Sequence, residues 1–147
     1  MTRVLPKDGP GIIRDETGVQ RLLGYVLDVG QGDGCARCHL EITAEHGNRH
    51  GMLHGGVTTA MLDNAMGATA SLSIDETGLM PCMTISMTVN FLAPARPGLM
   101  LIATGRRTGG GRATIFVEGV VEAEDGSVIA TASGVFRPVP PHRMPER

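Results

Sequence analysis

Residues 55–74, GGVTTAMLDNAMGATASLSI, constrain most what this chain can fold into. The run has no proline, is dominated by alanine, methionine and leucine, and fits about five turns of helix. Its apolar residues lie all round the helix instead of forming one stripe, and such a helix is buried on most sides. Asp63 is the single ionisable side chain between His54 and Asp75. The rest of the chain therefore has to wrap this helix.

The wrapping is legible on both sides of the helix. Tyr25–Val29 and Cys35–Thr43 read as two strands around the glycine-rich turn Gly30–Gly34. After the helix, residues 83–92 (MTISMTVNFL) alternate. Ile85, Met87, Val89 and Phe91 fall on one face, and Thr84, Ser86, Thr88 and Asn90 on the other. Leu99–Arg107, Ala113–Ala123 and Val128–Phe136 follow, separated by Gly109-Gly110-Gly111 and Asp125-Gly126, both hairpin signals. Glu16–Leu23 reads as a short helix with Val19, Leu22 and Leu23 on one side and Gly24 ending it. The expectation is an α+β domain over residues 16–137, a curled antiparallel sheet of about six strands around one long central helix. Residues 1–15 read as a flexible arm and residues 138–147 (PVPPHRMPER) as a Pro-rich tail.

A length of 147 residues allows one core without staples. A net charge of −2 leaves no footprint for a nucleic-acid backbone. No stretch reaches the ~20 apolar residues a membrane span needs, and the N-terminus lacks a signal peptide's apolar run. Cys35, Cys38 and Cys82 make no disulfide framework, so a cytoplasmic location is expected. Cys35-x-x-Cys38 beside His39 is half of a zinc knuckle with no second half, and no metal is expected. His46, His50 and His54 are spaced by four, but Gly47 and Gly51 make a ligating helix there unfavourable.

Two features point to chemistry. Gly55-Gly56 opens the long helix, where free backbone N–H groups and the helix dipole favour negative charge and glycine lets a carbonyl approach. Such donors stabilise an oxyanion, at roughly 10²–10³ in rate per donor. Asp63 is the second feature, a carboxylate costly to bury unless it is paired or serves a site. A plain ion pair or backbone contact would explain it equally well. Along a helix the two lie ~12 Å apart. If both serve one reaction, the second chain of a dimer has to bring its Asp63 to this chain's Gly55.

Asn48-x-x-Gly51-x-x-His54-Gly55-Gly56, followed by Asp63, Phe91-Leu92-Ala93-Pro94-Ala95 and Gly111-Arg112, resembles the phenylacetate-degradation-type hot-dog acyl-CoA thioesterases. The likeness covers roughly residues 20–137. It implies a hot-dog fold and hydrolysis of an acyl-CoA thioester by a homo-oligomer, a dimer with composite sites or a tetramer. Coenzyme A is then part of the substrate, and no cofactor is implied. The resemblance assigns the Gly55 amide to polarising the carbonyl and the other subunit's Asp63 to acting as general base or nucleophile. Asn48 and His54 would orient substrate or water. Thr84 would hold the attacking water, or be an ordinary residue of its strand. Gly56, Gly111, Arg96 and Arg112 are candidates to contact substrate and CoA, with Arg106 and Arg107 as further phosphate candidates, each arginine reading first as a solvated surface charge and Gly111 first as part of a hairpin turn.

Two other functions fit such a fold. A hydratase or dehydratase would carry a Gly-Asp-x-Asn-Pro-x-x-His-type signature, which is absent. A non-catalytic acyl-CoA-binding module would keep the pocket but could dispense with Asp63. Met61, Met66, Met83 and Met87 read as core before they read as pocket lining.

Overall fold

In the computed structural model, which describes residues 4–146, the apolar run forms one helix and a single sheet is laid around it. Chain order is β1 (Ile12–Ile13), α1 (Gly18–Leu23), β2 (Val26–Asp28), β3 (Arg37–Glu41), the long helix α2 (Gly55–Leu72), β4 (Cys82–Phe91), β5 (Met100–Gly110), β6 (Ile115–Ala123) and β7 (Val128–Pro138). The strands pair antiparallel throughout, in the order β1-β2-β3-β5-β6-β7-β4. Because α2 packs on β3, β4, β5, β6 and β7 together, the sheet curls around it, as the hot-dog resemblance implies.

The core forms where α2 meets the inner sheet face. Met61, Leu62, Ala65 and Met66 are fully buried against Leu40, Leu101, Val117, Val121 and Phe136. Close approach is built into the sheet itself. A Cβ added at Gly105, Gly119 or Gly134 would come within 3.0 Å of Thr69, Leu62 or Met66 on the helix. Met61 and Met66 are core, whereas Met83 is 53% exposed and Met87 only partly buried.

Several local expectations change. The sheet gains a seventh strand because Ile12–Ile13, inside the region read as an arm, pairs with Leu27 and Asp28. The start of that arm, residues 1–3, and Arg147 of the tail lie outside the described residues. The tail continues β7 to Pro138 and then turns through a short 3-10 helix, Pro141–Arg143. In α1, Val19 and Leu22 are exposed and Gln20 is buried. Its side chain accepts from Glu16 N–H and donates to Ile13 and Tyr25 carbonyls, so polar satisfaction outweighs the apolar pattern. Gly109 and Gly110 belong to β5, so the hairpin turn lies at 111–114.

The strict alternation of β4 also fails. Its register against β7 shifts between Thr84, opposite Phe136, and Ser86, opposite Val135, leaving Ile85 as a β-bulge. A bulge adds one residue and reverses which face the preceding side chains take. Thr84, still exposed on this edge strand, therefore takes the face of Phe136, away from the face shared by Ser86, Thr88 and Asn90.

Candidate active site

The N-terminus of α2 is prepared by the loop before it. Asn48 Oδ1 accepts from the N–H groups of His50 (2.9 Å) and Met52 (3.3 Å), and Asn48 N–H donates to Met52 O at 2.7 Å. Leu53 N–H donates to Ala95 O and His54 N–H to His46 O, both at 2.8 Å. His46 is buried and bonded at both ring nitrogens, to Thr43 N–H and Leu23 O. It braces the loop.

His54 caps the helix. Its Nδ1 accepts from Gly56 N–H at 2.8 Å, which fixes the proton of the neutral ring on Nε2. Gly56 N–H is thus occupied, and the substrate contact expected of it is taken by His54. Among the described residues Gly55 N–H has no hydrogen-bond partner. Gly55 lines a cavity of about 440 Å³ together with Asn48, Met52, Phe91, Pro94 and Ile129. The Phe91 ring lies over it, 3.2 Å from where a Cβ would sit.

Asp63 belongs to a different cavity, of about 310 Å³. The bulge at Ile85 aims Thr84 at it, and Thr84 Oγ1 donates to Asp63 Oδ1 at 2.6 Å. Tyr25 and Asn64 share this cavity. Tyr25 hydroxyl donates to Asn64 Oδ1 at 2.8 Å, and burial raises the phenol's pKa above its ordinary value. Cys82 lines the same space, its thiol pKa likewise raised by burial.

One chain thus brings together Asn48, His54 and Gly55 in one place and Asp63 and Thr84 in another. The two places share no lining residue. Arg112 and Gly111 lie at neither; with Arg107, Ser73 and Pro138 they border a third cavity of about 520 Å³ past the C-terminal end of α2. Arg106 faces the outer side of the sheet, opposite Glu118. Arg96 is exposed and follows Ala95, which lines the Gly55 cavity. Cys38 faces the core and burial pushes its thiol far above the ordinary range, so it stays protonated. Among the described residues, no three His, Cys, Asp or Glu side chains are placed to hold a metal ion. Tyr25 and Asn64 line the Asp63 cavity, which the motif did not reveal. Asn64 beside Asp63 and the chain's single tyrosine were the available signals.

Comparison with known proteins bears on this arrangement. A family model of the thioesterase superfamily matches residues 50–130. The chain is similar to human acyl-coenzyme A thioesterase 13, at 32% identity over 85 residues. That match covers 58% of this chain and 59% of the human protein, under two thirds of the relative's length. Among solved structures, a phenylacetic acid degradation-related protein of Ralstonia eutropha superposes with a TM-score of 0.69 at 28% identity. It covers 81% of this chain and 88% of that one. The Escherichia coli PaaI protein superposes with a TM-score of 0.71 at 20% identity, over 85% and 86% of the two chains, and shares the fold.

Proposed function

Since this chain belongs to the thioesterase superfamily, we propose that it hydrolyses acyl-CoA thioesters to a free acid and coenzyme A, with each active site shared between two copies. Water attacks the thioester carbonyl carbon, and Asp63 takes its proton as a general base. Thr84 holds Oδ1, which leaves Oδ2 to accept from the water. The new C–O bond places negative charge on the carbonyl oxygen, stabilised by the Gly55 N–H and the dipole of α2. Collapse breaks the C–S bond, and the departing thiolate takes the proton that Asp63 accepted, which regenerates the carboxylate. Asn48 lines the Gly55 cavity and orients substrate there, His54 holds the helix start in place, and Arg96 is the arginine best set for a CoA phosphate near Gly55.

The observation that carries the shared site is the arrangement of β4. It is an edge strand of ten residues, with Met83, Ile85, Phe91 and Leu92 (the residue just after it) more than half exposed. A long apolar edge of this kind invites pairing. Thr84 near one end belongs to the Asp63 cavity, and Phe91 at the other end covers Gly55. Antiparallel pairing of β4 with a second copy exchanges the ends, setting one copy's Asp63 and Thr84 against the other's Gly55. The homodimer is the functional unit. Its location is cytoplasmic, in keeping with three unpaired cysteines.

The test is thioester hydrolysis followed by thiol release over a range of acyl-CoAs. Asp63→Asn should lower kcat by on the order of 10²–10⁴ with folding and ligand binding retained. Binding of acyl-CoA without turnover by the wild type would instead make the chain a carrier of such thioesters.

A further inference from the structure

A glycine in the interior of a helix is destabilising relative to alanine and calls for a reason. The sheet glycines Gly105, Gly119 and Gly134 have one, since any Cβ there would collide with α2. Gly67, inside α2, does not. A Cβ at Gly67 would meet a single atom, Phe136 Cε1, at 3.7 Å, an ordinary contact. Packing therefore permits alanine there and helix propensity favours it. What a side chain at Gly67 would remove is open space, because Gly67 lines the Asp63 cavity.

That cavity follows one stripe of the helix, from Asp63 and Asn64 through Gly67 and Ala68 to Ser71. Eight residues of helix span ~12 Å, and the volume is about 310 Å³. Leu27, Leu79, Met80 and Cys82 belong to the cavity's apolar lining, alongside the polar Glu16, Thr17 and Gln20. The hydrogen-bonded Asp63–Thr84 pair lines the N-terminal end of this stripe, where the hydrolysis proposed above puts the reacting carbonyl.

We propose that the acyl group lies along α2 in this cavity, and that Gly67, by omitting a side chain, admits acyl chains of medium length. The proposal rests on the thioesterase reading above. Gly67 is a specificity-determining position; it takes no part in the bond making.

The experiment compares wild type, Gly67→Ala and Gly67→Leu on acetyl-, butyryl-, hexanoyl-, octanoyl- and decanoyl-CoA, with a thermal melt of each protein. The wild type should accept octanoyl-CoA. Gly67→Leu should keep kcat/KM for acetyl-CoA within about threefold and lose roughly 100-fold on octanoyl-CoA. Gly67→Ala should lie between them and melt no lower than wild type. If Gly67→Leu does not fold, the shift of Gly67→Ala toward shorter chains decides. An equal fall at every chain length, no change at any, or a wild type confined to acetyl-CoA overturns the proposal. If the wild type turns over no thioester, hydrolysis is refuted and the cavity is judged on binding of S-alkyl-CoA thioethers. Selective loss of the octyl over the methyl thioether in Gly67→Leu then sustains it, and equal affinities sink it.

Discussion

Tyr25 and Asn64 line the same cavity as Asp63. Tyr25 is 4% exposed, and burial favours its neutral form, which is the form that donates to Asn64. Its pKa is therefore higher folded than unfolded. The stability this contributes is fully present below the unfolded value of ~10 and is lost as pH climbs through the folded one. With one tyrosine and no tryptophan in the chain, phenolate absorbance follows this group alone. The native titration should have its midpoint above that of the chain in denaturant, and a midpoint at or below it would refute the burial. Residue by residue, the sequence marked what is chemically isolated. Asp63 stands out as the one charge in an apolar run, and Gly55 as the small residue opening it. Contacts across distance left no mark: the Tyr25–Asn64 bond spans 39 residues. Nor did the cap formed by His54, since histidine is not among the usual N-cap residues.

At the level of elements, β4 is where pattern and structure part. Strict alternation of polar and apolar residues carries no sign of an extra residue, so the bulge at Ile85 was invisible and Thr84 fell on the wrong face. The bulge is what joins Thr84 to Asp63. Thr84→Val keeps the strand and its bulge and removes only the hydroxyl that donates to Asp63 Oδ1. Hydrolysis should fall by about 10–100-fold, the worth of one hydrogen bond to a charged group, while circular dichroism keeps its helical signal. Undiminished turnover in Thr84→Val would show that the Thr84 contact is dispensable. The long helix was legible because eighteen residues of one composition outvote any local accident. The six residues of α1 were not, since one buried glutamine bonded to three backbone groups decided which side faces in.

For the whole molecule, the separation of the Gly55 and Asp63 cavities gives a test of the shared site that needs no structure of a complex. Gly55→Pro removes the free N–H at a helix position where proline is tolerated, and Asp63→Asn removes the base. Each homodimer should be inactive. In a heterodimer of the two, one site regains an intact Gly55 and an intact Asp63. Refolding the variants together should restore about a quarter of wild-type activity, half the dimers being mixed with one working site of two. A mixture as inactive as its components would place both groups of one site in one chain. The proposal of a shared site starts from a distance the sequence alone gives, ~12 Å along a helix. The strand proposed to carry that pairing became recognisable only once its register and exposure were known.

The three sheet glycines leave no clearance between α2 and β5, β6 and β7, so on those sides almost any change to the helix disturbs the fold. Along Gly67 the helix has clearance. Selection for a different substrate therefore has a place to act that selection for folding leaves alone, and descendants of this chain can diverge in diet while inheriting the same scaffold.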